Sequence, residues 1–312
     1  MKVAAPGKLL LTGAYAVLEG APAIVIAVDR HAMADTNKAA ATSTREVELA
    51  FGASTAPHVD AAPLYTEGRT VSGAAKTLKL GLGSSAAMLV AALATRRARS
   101  GADLRCMSVR RELFAEARAV HATSQGGGSG VDVAASVYGG ALCYSLTSVA
   151  PVELPPGLHL AAFFSGTSAR TSVLRAAVDA LRLRDPMLYR ECMDVLRAGA
   201  VLASRALASC VLETFLAAAD VTRRALAKLG LAAGTPIVPT RFMKLGKSAA
   251  RAGAVFLPSG AGGGDVGVYL GRDKPSARFT HLAGKLGFTH LPLAIDPTGV
   301  RLVEPEPIGA AR

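Results

Sequence analysis

Short continuous apolar runs at Val3–Ala5, Leu9–Leu11 and Ala23–Val28 predict strands, with Pro6–Gly7 as a turn between the first two. The run Arg-Glu-Val-Glu-Leu-Ala-Phe at 45–51 places Val47, Leu49 and Phe51 at every second position and is expected as a peripheral strand among the loops of 35–79. From about Ser85 to Ser100 the pattern changes to an alanine-rich helix, closed by Gly101–Asp103, and a second helix is expected from about Ser108 to Ala122. A helical turn follows Asp132, and residues 139–146 return to a strand. Past a proline-rich stretch at 149–157 the order is a strand (158–164), helices at about 171–184, 187–207, 209–229 and 239–252, and a strand–loop–strand unit at 253–271. A helix (about 275–286) and a strand (291–295) close the chain. This order predicts an α+β fold. The proline-rich joint divides it into units 1–150 and 158–312.

Composition narrows the class. The chain has 312 residues, 51% of them hydrophobic, only 5% aromatic and none Trp. The length suits two domains and the hydrophobicity excludes disorder. Charged residues or glycines break every apolar run before about 18 residues, so no membrane span is expected. The amino terminus lacks a continuous apolar core ahead of Gly7–Lys8 and reads as strand and turn, not as a leader. Cys106, Cys143, Cys192 and Cys210 show neither CxxC spacing nor a histidine partner pattern. Reduced thiols in a cytoplasmic protein are therefore expected, without disulfide or zinc. Lys and Arg number 35 against 23 Asp and Glu, a net charge of +12. The arginines are scattered on helices (Arg96, Arg97, Arg99; Arg182, Arg184; Arg223, Arg224) without aromatic residues for base stacking, which argues against nucleic acid. A positive field does suit a polyanionic small molecule.

Chemistry concentrates in three glycine-rich loops. In Leu-Gly-Leu-Gly-Ser-Ser (80–85), Gly81 and Gly83 permit a tight turn. Ser84 and Ser85 stand where they can cap a helix, and the helix start suits a phosphate, with the Ser85 hydroxyl free for a metal. In Gln-Gly-Gly-Gly-Ser-Gly-Val-Asp (125–132), the glycines and Ser129–Gly130 lead into Asp132, either a catalytic acid or a residue that complements the helix dipole. The third loop, Ser259-Gly260-Ala261-Gly262-Gly263-Gly264-Asp265, joins two strands; its glycine density is costly unless it closes on a ligand. Lys8 follows the Pro6–Gly7 turn between apolar neighbours, as an inward-pointing amine would, and Tyr15 lies in the loop after it. None of the three loops is a Walker A loop, a dinucleotide fingerprint or part of a protein-kinase motif set.

Ala-Pro-Gly-Lys-Leu-Leu-Leu-Thr-Gly (5–13), Gly-Leu-Gly-Ser-Ser-Ala-Ala (81–87) and Pro-Ser-Gly-Ala-Gly-Gly-Gly-Asp (258–265), in this order, resemble the three motifs of the GHMP kinase superfamily, which includes galactokinase, homoserine kinase, mevalonate kinase and phosphomevalonate kinase. The 125–140 stretch, the 259–270 stretch and Ser-Gly-Thr-Ser-Ala-Arg-Thr-Ser (165–172) are similar to the phosphomevalonate kinase branch. The resemblance implies an N-terminal ribosomal-protein-S5-like α/β domain and a C-terminal ferredoxin-like domain, with ATP and Mg²⁺ as cofactors. It implies ATP-dependent phosphorylation of phosphomevalonate to diphosphomevalonate in the mevalonate route to isoprenoids. Mevalonate kinase, another small-molecule GHMP kinase and a non-catalytic ligand sensor are the alternatives. It implies that Gly81, Gly83, Ser84, Ser85 and Ala86 cradle the ATP phosphates, that Lys8 and Asp132 are catalytic, and that Ser85 and Glu116 hold the metal. Tyr15, Ser129, Gly130, Arg170 and the loop Ser259, Gly260, Ala261, Gly262 and Asp265 would bind the phosphorylated substrate. His121, Arg241 and Lys247 are further candidate contacts. Ala14 stands where the first motif usually carries an acid. The protein would act as a monomer or homodimer on a small molecule, with neither membrane nor nucleic acid as partner.

Overall fold

Residues 1–38, 44–52, 55–69 and 75–303 are described by a computed structural model of the chain. Its first feature departs from the strand–turn–strand reading of the amino terminus. The amino-terminal apolar positions form one long strand, β1 (Lys2–Thr12), not two strands around a turn. It pairs antiparallel with β2 (Ala23–Asp35), and the register shifts between Pro6 and Gly7. A proline cannot donate to the ladder, and the irregularity accommodates it without ending the strand. A 3-10 turn (Ala16–Glu19) joins the two strands.

The 45–51 segment is a helix, α1 (Arg45–Phe51), where a strand was expected. Thr44 caps it by accepting from the Val47 N–H, and Gly52 closes it. Glu46, Val47, Ala50 and Phe51 turn inward at helical spacing while Leu49 is exposed, so burial on one helix face outweighs the period-two pattern. Beyond it lie β3 (His58–Asp60), a 3-10 turn (Ala62–Leu64), β4 (Tyr65–Arg69) and β5 (Ala75–Lys79). Then come α2 (Ser84–Arg99), α3 (Met107–Gln125), α4 (Val131–Tyr138), β6 (Ala141–Tyr144) and β7 (Val149–Pro151). From Ser84 to Thr95 every residue of α2 but Ser85 is buried, which is why this helix is apolar nearly all round. It packs on β1 and β2.

The second half runs β8 (His159–Phe164), α5 (Thr171–Arg184), α6 (Pro186–Ala208), α7 (Leu212–Ala232), α8 (Thr240–Ala250), β9 (Val255–Pro258), β10 (Val266–Gly271), α9 (Ala277–Lys285), β11 (Thr289–Leu291) and β12 (Arg301–Val303). Asp185 caps α6 by accepting from the Leu188 N–H at 3.0 Å, with Pro186 in the first turn, where its missing N–H is harmless. The first sheet has the order β12-β1-β2-β6-β7, with β3 on β2; the second is β11-β8-β10-β9; β4 and β5 pair alone, and all pairings are antiparallel. Phe163, Phe242, Phe256, Phe279 and Phe288 interlock behind the second sheet, largely edge to face. One apolar cluster runs from Val3, Leu9 and Leu89 to Phe215, Leu257 and Val268, so the two sheets share a core. The halves are thereby held as facing walls.

The chain end returns to the beginning. The strand expected at 291–295 is β11 at 289–291, and a further strand, β12, pairs with β1 in the first sheet, although residues 158–312 read as one later unit. Asp296 anchors this return. It accepts from the Thr298 and Gly299 N–H groups at 2.9 Å, from His31 Nε2 at 2.5 Å and from Arg301 at 2.7 Å. Burial would raise its pKa, but these hydrogen bonds prevail and hold it well below the usual carboxylate range. Among the described residues the cysteines are unpaired, and no helix is long and apolar enough to cross a membrane.

Candidate active site

A cleft of about 1010 Å³ opens between the β1–α2 face and the loops of the second half. Lys8 is carried by β1 just past the register shift. Its backbone N–H donates to the Leu82 carbonyl at 2.8 Å, tying the strand to the first glycine loop, and its Nζ donates to the Gly81 carbonyl at 3.3 Å. Among the described residues no ion pair occupies the Lys8 amine. Burial pushes its pKa below the ordinary lysine value, and the Asp132 and Asp265 carboxylates work against that shift.

The first glycine loop presents the start of α2 to this amine. Gly83 is the N-cap in a left-handed conformation, and no side chain caps the helix; Ser84 and Ser85 are first-turn residues, not caps. The first helical bond runs from Ala87 N–H to Gly83 C=O at 3.1 Å, so the N–H groups of Ser84, Ser85 and Ala86 precede the ladder. Ser84 and Ser85 line the cleft, whereas Ala86 is fully buried and offers only its backbone. Gly81 has a φ of +82°, and a Cβ there would overlap the Asp265 side chain, 2.7 Å from its Cγ. That close approach sets the first loop against the third.

Asp265 itself holds a left-handed φ of +53°, a strained value for a residue with a side chain. Its Oδ1 accepts from the Ala169 N–H at 2.9 Å and from Ser168 Oγ at 3.4 Å. Burial raises its pKa, which these bonds and Lys8 oppose. Ser259 Oγ accepts from the Leu10 N–H at 2.8 Å, and the Tyr15 hydroxyl donates to the Ala261 carbonyl at 2.8 Å. Both contacts join β1 and its following turn to the third loop. Tyr15 has φ +62°, and burial raises its pKa.

The second loop forms another wall. The Ser129 carbonyl accepts from the Tyr144 hydroxyl, Gly130 is the left-handed N-cap of α4, and Asp132 lies in that helix's first turn. Asp132 Oδ1 accepts from the Val133 N–H at 3.0 Å and Oδ2 lies 3.7 Å from His121 Nε2. His121 is buried and also meets Gln125 at 3.2 Å, so it stands beside Asp132 in the cleft wall.

Lys8, Tyr15, Gly81, Gly83, Ser84, Ser85, Ser129, Gly130, Asp132, Ser259, Gly260, Ala261 and Asp265 thus share one cleft. Glu116 does not reach it. Its carboxylate pairs with Arg96 and Arg97 where α3 lies on α2, which corrects its assignment as a metal ligand. Arg170 sits at the N-cap of α5, beside the lining residues Ala169 and Thr171 but not among them. Gly262 is turned against Ile237. Arg241 braces the Ser165 carbonyl at 2.6 Å under Phe288, and Lys247 is exposed on α8. Sequence reasoning missed Lys79, Ser168, Ala169 and Arg175, which line the cleft. Nothing in the local pattern sets Arg175 apart from Arg182 or Arg184 on the same helix.

No group of three or more His, Cys, Asp or Glu side chains placed to hold a metal occurs among the described residues. A magnesium ion carried on nucleotide phosphates needs only one or two protein oxygens. Ser85 meets that need, since its hydroxyl lines the cleft and makes no hydrogen bond within the described protein.

No family model matches the chain. Phosphomevalonate kinase of Streptomyces sp. (strain CL190) is 28% identical over 347 aligned positions, which cover 89% of this chain and 91% of that protein. Mevalonate kinase of Archaeoglobus fulgidus is 28% identical over 290, covering 89% and 95%. The solved structure of Streptococcus pneumoniae phosphomevalonate kinase in complex with phosphomevalonate and AMPPNP superposes with a TM-score of 0.73 at 18% identity, covering 95% of this chain and 99% of that one. The chain therefore has the GHMP kinase fold, and its sequence is similar to phosphomevalonate kinase and mevalonate kinase of that superfamily.

Proposed function

We propose that this protein transfers the γ-phosphoryl group of ATP to the phosphate of phosphomevalonate. One observation carries the reading: a half-buried lysine amine, with no ion-pair partner among the described residues, lies at the uncapped start of α2 in a cleft large enough for two substrates. Phosphoryl transfer asks mostly for alignment and charge neutralisation, and this arrangement supplies both. In the reaction an acceptor phosphate oxygen bonds to the γ-phosphorus, and the bond from that phosphorus to the β–γ bridging oxygen breaks, releasing ADP. A phosphate monoester has its second pKa near 6, so the attacking oxygen is already ionised at neutral pH and no strong base is needed. Lys8 steadies the oxygens of the group in flight. The Ser84, Ser85 and Ala86 N–H groups hold the donor phosphates, and Asp132 orients Lys8 and the acceptor. Mg²⁺, with Ser85 as its protein ligand, would neutralise charge on the donor phosphates. Tyr15 and the Ser259–Ala261 turn close the acceptor side.

The similarity to phosphomevalonate kinase and to mevalonate kinase supports the reaction class equally for both acceptors. The discriminating experiment is ADP release from ATP and Mg²⁺ with phosphomevalonate or with mevalonate. Turnover with phosphomevalonate is the expected result; turnover with mevalonate alone, or with neither, overturns the reading. Lys8→Met should lower kcat by about 10²–10³, the usual cost of losing one transition-state donor, with a smaller loss for Asp132→Asn.

A further inference from the structure

The helix α5 has two faces. Leu174, Val178 and Leu181 are buried in the second half, while Thr171, Ser172, Arg175, Ala176 and Asp179 line the cleft at the three- and four-residue spacing of one helix side. Arg175 is the one cation on that cleft-lining side. It is half-buried and makes a single hydrogen bond among the described residues, 3.3 Å to the Gly126 carbonyl. Asp179, one turn further on, forms no ion pair with it among the described residues. Arginines elsewhere are engaged differently: Arg97, Arg197, Arg223 and Arg301 each pair with a carboxylate at 2.6–2.8 Å. The Arg175 guanidinium therefore has charge and donors to spare, in a place where a ligand can reach them.

Its position is defined by the second glycine loop. Gly127 has φ +107°, and a Cβ there would lie 2.9 Å from the Arg175 guanidinium, so the missing side chain makes room for the arginine. This loop leads into Ser129 and Asp132. Arg175 accordingly approaches the wall that carries Asp132, whereas the Gly81–Asp265 contact marks where α2 begins. Four cations line the cleft, Lys8, Arg45, Lys79 and Arg175, and none pairs with a carboxylate among the described residues; Arg45 and Lys79 are exposed, whereas Lys8 and Arg175 are half-buried, on different elements. An acceptor with an anion at each end matches that pair. One end is the oxygen that attacks; the other is a carboxylate, whose two oxygens fit the planar guanidinium fork. Exchanging a long bond to a neutral carbonyl for a charge-assisted pair favours the bound state.

We propose that Arg175 holds the carboxylate of the acceptor, fixing the end remote from the oxygen that attacks and so setting the reach to Lys8. This rests on the kinase reading above. The test measures ADP release by the wild-type protein, R175K and R175M, using whichever of phosphomevalonate and mevalonate supports turnover, together with the carboxamide analogue of that acceptor. With the acid, R175M should lose about 10- to 100-fold in kcat/KM, seen in the KM of the acceptor and not in that of ATP. R175K, which keeps the charge but not the fork, should fall between. The carboxamide should be a poor acceptor for the wild type and no poorer for R175M, a pattern that damage to folding cannot produce. Equal losses on acid and amide, a rise confined to the KM of ATP, or unchanged kinetics in R175M would overturn the proposal. Absence of turnover by the wild type with both acids would overturn the kinase reading itself, a result distinct from any failure in the variant series.

Discussion

The first and third glycine loops look alike in sequence, yet their glycines do different work. In the 80–83 loop, Gly81 and Gly83 face functional groups: a Cβ at 81 would meet Asp265, and one at 83 would come 3.1 Å from the Lys8 chain. In the 259–265 loop the cleft-lining positions are Ser259, Gly260, Ala261 and Asp265, while Gly262 is packed against protein. A Cβ on Gly262 would overlap the Ile237 carbonyl. The Gly263 N–H also donates to that same carbonyl at 2.9 Å, which pins the loop to the segment before α8. A dense run of glycines therefore marks close packing as readily as a phosphate cradle. Which of the two it marks depends on what lies opposite.

That contrast can be broken by substitution. The largest effect is expected at Gly81→Ala, where the added methyl displaces Asp265 and, through it, the surroundings of Lys8. A shift of about 1 Å there should cost on the order of 100-fold in kcat/KM, measured by ADP release. Gly81 shares the left-handed φ of +82°, so some stability is lost here too, but the methyl meets a side chain bordering the open cleft and not backbone, so chemistry should suffer more than folding. Gly262→Ala should show the reverse order. Its methyl meets backbone that cannot move aside, at a φ of +82°, and the expected loss is about 2–4 kcal/mol of stability by denaturant unfolding, with near-normal kcat in the protein that remains folded. If Gly262→Ala abolishes turnover while stability holds, the division between the two loops is wrong.

Two smaller effects sharpen the picture of the cleft. On the proposed reading the Lys8 amine works protonated, and burial lowers its pKa from the ordinary lysine value of 10.5. It therefore loses its proton as pH rises through a value below 10.5, and kcat/KM, which reports the free enzyme, should decline on the alkaline side before an ordinary lysine would titrate. Lys8→Arg keeps the charge, so the alkaline limb should vanish even where the rate is reduced; a limb that stays in place assigns it to another group. The smallest effect is expected at Glu116→Gln. Its carboxylate meets Arg96 and Arg97 at a partly exposed helix contact, worth about 1 kcal/mol or less. Turnover and its Mg²⁺ dependence should remain within about two-fold of the wild type.

Most helices were legible because their signals are local. The apolar stripe of α5, the Asp185–Pro186 start of α6 and the Gly101 stop after α2 act within one or two turns. Lys8 and the first loop were legible for a similar reason: proline, glycine and lysine in one strand, or two glycines before an apolar helix, restrict the backbone wherever they occur. The 45–51 segment was misread because its alternation is compatible with both states. The Thr44 cap and burial of Glu46, Val47 and Phe51 against α2 and α3 decide for the helix. Glu116 was misassigned since a carboxylate near a glycine loop in sequence can point to either side of its helix, and here Arg96 and Arg97 are on the side it faces.

By itself, then, the sequence determined most of the turns, the longer helices, and that a lysine, two serines and two acids sit next to glycine-rich loops. Interactions within a few residues are enough for that. Tertiary structure alone decided that β1 runs unbroken past Pro6, because β2 supplies the partner that carries it through the register shift. It also decided that β12 returns to β1, that Asp265 rests against Gly81, and that Arg175 reaches the second loop. These contacts join residues from about twenty to about three hundred positions apart, and their energy comes from burial and hydrogen bonding that exist only once the two sheets share a core.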